Sequence, residues 1–105
     1  MPIKLWVDDI RPPKYPDWIW AKTYDEAIYW LATDCVLEAS LDHDLSIQHT
    51  LGYKDREKTG YDIVCWMEEN NVWPKDGVTV HSMNPSGKFR MEQVIFRYYN
   101  TYYNT

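Results

Sequence analysis

Carboxylates, imidazoles and a serine fall in three short clusters of this chain. Asp8-Asp9 closes the apolar run Ile3-Lys4-Leu5-Trp6-Val7, and Asp42-His43-Asp44 closes Val36-Leu37-Glu38-Ala39-Ser40-Leu41. His81-Ser82 closes Val78-Thr79-Val80. Each run reads as a short strand, so each cluster sits where a strand gives out. In an open α/β sheet that edge is where ligands bind, because strand ends and helix N-termini meet there. Asp42 and Asp44 can bind a hard cation, and the His43 imidazole can give or take a proton. A single such cluster would do no more than start a turn. Three polar strand ends on one sheet edge make a site.

The elements that must position these residues follow in order. After Asp9, the segment Ile10-Arg11-Pro12-Pro13 cannot continue as helix, and the loop to Asp17 keeps Arg11 beside the acids. A second strand covers 18–22. Thr23 and Glu26 then form a capping box for a helix to about residue 32, with Ala27, Ile28 and Leu31 on its buried stripe. After the central strand, residues 46–58 form a long polar loop holding His49 and a run of mixed charges, either a functional flap or a solvated insertion. Thr59 caps a second helix to about residue 69, which Asn70-Asn71 and Pro74 end. Asn84-Pro85 supplies N-cap and first turn of a third helix, whose Met91, Val94, Ile95 and Tyr98 repeat at core spacing. Lys88 and Arg90 lie in its first turns, where the helix dipole disfavours cations, so bases there suggest a nearby anion. Each taken alone reads as an ordinary surface cation. Residues 100–105 are expected to fray.

Composition narrows the function classes. A chain of 105 residues is one domain, large enough for a real core. No apolar stretch reaches the roughly 20 residues that span a bilayer, and no signal peptide opens the chain. Cys35 and Cys65 read as reduced thiols, and a cytoplasmic setting is expected. A net charge of −5 argues against generic duplex nucleic-acid binding, which needs a basic surface.

Strands joined by helical crossovers imply a mainly parallel sheet of four strands, the first one central, with helices on both faces. This is a small flavodoxin-like three-layer α/β sandwich. Acids after the first strand, an Asp after a central strand and a Ser after the next resemble a response-regulator receiver domain. That resemblance implies a divalent cation on Asp8, Asp9 and Asp42, and a phosphoryl contact from Ser82. Two departures stand out: a Pro-rich loop replaces the helix after the first strand, and the strand carrying the receiver's signalling lysine is missing. The chain is more similar still to the cyclic-phosphate processing receiver-like domain family. The residues that carry this resemblance are 5–13, 40–45, 59–62 and 81–85, with Gly87.

The resemblance implies hydrolysis of a cyclic phosphodiester in a small molecule, a nucleotide or an RNA end. His43 and His81 would then act as base and acid, with Asp42 as the third catalytic residue. Mg²⁺ or Mn²⁺ would sit on Asp8, Asp9 and Asp42, with Asp44 as a further metal ligand. Arg11, Ser82, Asn84, Lys88 and Arg90 would hold phosphate oxygens. The rival reading is a receiver-like module that accepts a phosphoryl group on Asp42 or binds a ligand without catalysis. A zinc site on His43, His81 and an Asp has adequate ligands but no spacing that demands it. A Toprim-like nuclease would need a Glu where Asp8-Asp9 stands. His-Asp phosphohydrolases carry their pair on helices.

Overall fold

A computed structural model of the chain describes residues 2–45 and 58–103. Four strands form one sheet: β1 (Ile3–Val7), β2 (Ile19–Ala21), β3 (Val36–Leu41) and β4 (Val78–Val80). Their spatial order is β2-β1-β3-β4, and every neighbouring pair is parallel. The helices are α1 (Tyr24–Leu31), α2 (Gly60–Asn70) and α3 (Pro85–Tyr103). This is the small α/β receiver-like fold that the strand and helix alternation predicts. The polar loop and His49 fall mostly outside the described residues.

Local chemistry sets the helix ends. Thr23 Oγ1 accepts the Glu26 N–H at 3.1 Å, and Asp62 Oδ2 accepts the Thr59 N–H at 2.8 Å. Asn84 Oδ1 accepts the Gly87 N–H at 3.0 Å, so Pro85 occupies the first helical position, where its missing N–H costs nothing. Asn71 ends α2 in the left-handed region at φ 54°, a conformation Asn tolerates better than most residues. The last helix runs on to Tyr103, into the stretch expected to fray.

The layering differs from expectation in one respect. Alternation along the strands turns Leu5, Val7, Ala39, Leu41, Val78 and Val80 to one face. Ala27 and Leu31 of α1, Ile63, Val64 and Met67 of α2, and Met91, Val94 and Ile95 of α3 all join that same core. Among the described residues the three helices thus cover a single face instead of both and leave the other helix-free. Two rules explain it. The crossovers β2 to β3 and β3 to β4 run in one direction across the sheet, so right-handedness puts α1 and α2 on the same side. The one connection running the other way, β1 to β2, contains Pro12-Pro13 and forms no helix. The opposite face carries Lys4, Trp6, Glu38, Ser40 and Thr79, covered in part by that proline-rich loop. Among the described residues no helix is long and apolar enough to cross a membrane.

Candidate functional site

The parallel ladder extends one step past the strands, and that step aligns the site. Asp8 N–H donates to Ala21 O at 3.1 Å, Asp42 N–H to Val7 O at 2.9 Å, and His81 N–H to Leu41 O at 3.0 Å. Three residues from three strands are therefore held level at one edge by backbone bonds alone. Asp8, Asp9 and Asp42 are all buried there, and one carboxylate oxygen from each lies within 4.8 Å of the others.

Asp8 is heavily solvated by the protein. Its Oδ1 accepts the Ile10 and Arg11 N–H groups, both at 2.8 Å, because the turn before Pro12 folds back over it. Its Oδ2 accepts Arg11 Nε at 3.2 Å and His81 Nε2 at 3.1 Å. Burial by itself would raise its pKa, but the two backbone bonds, His81 and the Arg11 charge outweigh it, and the carboxyl lies below the ordinary 3.8. Asp42 has fewer donors: the His43 N–H at 2.8 Å, the Ser82 hydroxyl, and Arg11 Nη2 at a looser 3.9 Å. Burial first and the neighbouring Asp8 charge second push its pKa above 3.8. An under-compensated carboxylate beside two others is what a cation would relieve. Oxygen-only donors of this kind suit Mg²⁺ or Mn²⁺. Neither histidine belongs to the group, so the zinc reading finds no assembled ligand set among the described residues.

Asp44, expected as a metal ligand, lies outside the acid group. Its carboxylate is exposed and accepts His43 Nδ1 at 2.8 Å. A carboxylate can only accept, so the bond to Asp44 uses a proton on His43 Nδ1, and in the neutral ring that places the lone pair on Nε2. The ring is mostly buried against the first turn of α3, where a Cβ on Gly87 would stand 2.5 Å from Cγ and Cδ2. Gly87 is there because the imidazole occupies the space of a side chain.

The two histidines lie on different sides of the edge. His81 belongs to the helix-free face, stacked on Trp6 with ring centroids 3.9 Å apart and planes 7° apart. Its Nδ1 is 2.7 Å from Ser40 Oγ while Nε2 meets Asp8, so both ring nitrogens are used within the protein. Burial chiefly lowers its pKa below 6.5; Asp8 opposes that shift, and the charges of Arg11 and Lys14 add to it. With Nε2–H donating to Asp8, Nδ1 accepts the Ser40 hydroxyl, a consistent pattern for a neutral ring.

The remaining expected residues divide. Arg11 is drawn into the acid cluster and reaches His81 O at 3.3 Å. Ser82 Oγ accepts the Asn84 N–H at 3.0 Å and so ties the start of α3 to Asp42. Asn84 caps α3 and brings Nδ2 within 3.5 Å of Asp44 Oδ1. Arg90 turns away: its guanidinium lies 4.5 Å above the Tyr61 ring of α2. Lys88 is partly buried one turn into α3, its N–H bonded to Asn84 O at 2.9 Å. Residue types alone did not single out Trp6, which holds His81, or Ser40, which bonds it. The parallel register, pairing Trp6 with Ser40, brings them together.

A cleft of about 260 Å³ opens beside His81 on the helix-free face. A larger one of about 340 Å³, lined by Pro2, Cys35, Trp73 and Lys75 among others, lies at the opposite end of the strands and includes none of the site residues. Compared with known families, residues 3–97 match the cyclic-phosphate processing Receiver domain. Neither the comparison with curated proteins nor that with solved structures finds a match.

Proposed function

The chain belongs to the cyclic-phosphate processing Receiver domain family, and from that premise we propose that it hydrolyses a cyclic phosphodiester at the Asp8–Asp9–Asp42 edge. One observation carries the reading. The His43 N–H donates to Asp42 Oδ1, and the His43 ring donates to Asp44, so a proton acceptor and a cation-competent acid cluster share one strand end. Asp44 fixes the tautomer that leaves Nε2 able to take a proton.

In this mechanism His43 Nε2 takes a proton from water. The water oxygen bonds to phosphorus, and the bond from phosphorus to one ring oxygen breaks. That oxygen leaves as an alkoxide and is protonated by solvent, giving an acyclic phosphate monoester. Arg11 balances charge on the phosphate oxygens. A divalent cation on Asp8, Asp9 and Asp42 would draw off further charge as a Lewis acid. His81 is a positioning residue in this scheme: it holds Asp8 Oδ2 in place and leaves proton transfer to His43.

The test is phosphorus NMR of purified protein with a panel of cyclic phosphates, in Mg²⁺ and in EDTA. Turnover in Mg²⁺ that His43→Ala lowers by roughly 10²–10⁴-fold is the expected result. No ring opening of any panel member would refute it. A second reading, a phosphoacceptor module, draws on the placement of Asp42 at the end of β3 with the Ser82 hydroxyl on it. It predicts a stable phosphoryl adduct by intact mass after acetyl phosphate and Mg²⁺, lost in Asp42→Asn.

A further inference from the structure

The helix-free face holds a cleft that the chemistry above does not use. Its floor is β3 and β4, where Glu38, Ser40 and Thr79 point away from the core. Its wall is the proline-rich loop with Tyr15 and Trp18. Trp18 meets Trp6 edge to face at 6.4 Å and 80°, and Tyr15 lies 6.1 Å from Trp18 at a 31° tilt. One side is thus aromatic and the other polar. At about 260 Å³ the cleft is slightly smaller than the roughly 300–1,000 Å³ usual for small-molecule sites, which suits a single ring system.

Three features connect this cleft to the phosphate chemistry. His81 lines it and also bonds Asp8, so cleft and acid cluster share a wall. Ser40 on its floor lies two residues before Asp42, about 7 Å along a strand, so a ribose unit can bridge a base in the cleft and a phosphate at the acids. Lys14 at the rim can meet an anion that enters with the ligand. Stacking surfaces opposite hydrogen-bonding side chains are how proteins hold an unstacked base. Glu38 adds selectivity. Its carboxylate pairs only loosely with Lys4, at 3.8 Å, and being acceptor-only it favours a base edge that presents N–H groups. Guanine offers two such donors side by side; uracil flanks its one N–H with two carbonyl oxygens.

We propose that this cleft is the nucleobase subsite of the same active site, so that the substrate is a nucleoside phosphate with its base beside Trp18 and Tyr15. This rests on the hydrolytic reading for what happens at the phosphate, but not for what binds in the cleft. Guanine is the preferred base, with its donor edge on Glu38.

The test is equilibrium binding of GMP, UMP and ribose 5-phosphate, followed by calorimetry and by tryptophan fluorescence. Base stacking predicts that GMP binds wild type roughly 5- to 150-fold more tightly than ribose 5-phosphate. Trp18→Ala and Tyr15→Ala should shrink that ratio, and Trp18→Phe should restore most of it. Glu38→Gln should shrink the preference of GMP over UMP. Tyr15 is 58% exposed, so its variant keeps the test valid even if Trp18→Ala fails to fold. Equal affinity of wild type for GMP and ribose 5-phosphate would overturn the proposal, as would ratios unchanged in every variant. Base discrimination without ring opening would sink the hydrolytic reading alone. Equal turnover of a nucleoside cyclic phosphate and a base-free one would sink the subsite alone.

Discussion

Replacing Gly87 with alanine tests the placement of His43 without touching His43. Gly87 sits in the first turn of α3 with ordinary helical backbone, so alanine brings no conformational strain. Its propensity even favours the helix, by up to about 1 kcal/mol. The added Cβ, however, would stand 2.5 Å from Cγ and Cδ2 of the imidazole and 2.9 Å from Nδ1, where ordinary contact begins near 3.4 Å. The ring must retreat by roughly 1 Å, since the helix end is pinned by the Asn84 cap and by Ser82. A retreat of that size stretches the 2.8 Å bond to Asp44 beyond hydrogen-bonding length and frees the tautomer. Misplacement of a reacting group by 1 Å can cost on the order of 10² in rate. Helix propensity gained and the hydrogen bond lost offset each other to within about 1 kcal/mol. Gly87→Ala should therefore lower turnover by about 10²-fold while its melting temperature stays close to wild type. Imidazole ¹⁵N shifts give an activity-free readout: wild type should show one Nδ1–H tautomer and the variant a mixture. Wild-type shifts together with wild-type turnover would refute the reasoning.

Asp42→Asn should raise the melting temperature of metal-free protein at neutral pH. Burial and Asp8 raise the Asp42 pKa, so this carboxylate costs stability once pH rises through its folded pKa. Mg²⁺ should stabilise wild type by about 2.7 kcal/mol at a hundredfold excess over Kd and the variant far less; equal shifts in both would reject the metal site. His81→Ala removes a ring stack and two hydrogen bonds, and should cost about 2–4 kcal/mol in urea unfolding. His81 also sets a pH dependence: its folded pKa is below 6.5, so the unfolded chain takes up its proton first. Its contribution is complete above about pH 6.5 and is lost as pH falls through the folded pKa. Urea midpoints between pH 7.5 and 5 should fall more steeply in wild type than in His81→Ala. Gly77→Ala serves as a contrast: with φ at 110° and no atom near its Cβ, strain alone should cost about 1–3 kcal/mol, leaving Mg²⁺ stabilisation unchanged.

What was legible in the sequence is what depends on near neighbours. Asp8-Asp9, Asp42 and His81 announce themselves because each ends an apolar run, and a strand's end is a local event. Thr23, Thr59 and Asn84 announce the helix starts for the same reason: a cap bonds a residue three positions away. The partners of the two histidines divide along that line. Asp44 is adjacent to His43 in sequence, yet its residue type equally fits a metal ligand, and only the geometry separates those roles. Ser40 lies 41 residues from His81 and Trp6 lies 75, so no local pattern could pair them. Arg90 shows the same limit. Its position near a helix start suggests an anion, but α2 places Tyr61 beneath it, and a neighbouring helix decides the outcome.

The missing helix and the site have one cause. Pro12-Pro13 denies the chain a helix between β1 and β2 and leaves a loop of about the same length as a short helix. That loop turns sharply enough for Ile10 and Arg11 to give Asp8 two backbone N–H groups, and it sends the Arg11 side chain back into the acid cluster. The same loop brings Tyr15 and Trp18 over a sheet face that a helix would have sealed. Trp6 joins the two consequences: its indole N–H holds Arg11 O at 2.8 Å, and its ring face carries His81. A helix packed there would bury Thr79 under apolar side chains and leave Glu38 without solvent, an expensive arrangement for an ionised carboxylate. The polar residues on that face and the prolines that keep it open are therefore consistent with each other. Under the proposed base subsite, a one-sided sheet would let a ligand lie across the strands as well as at their ends.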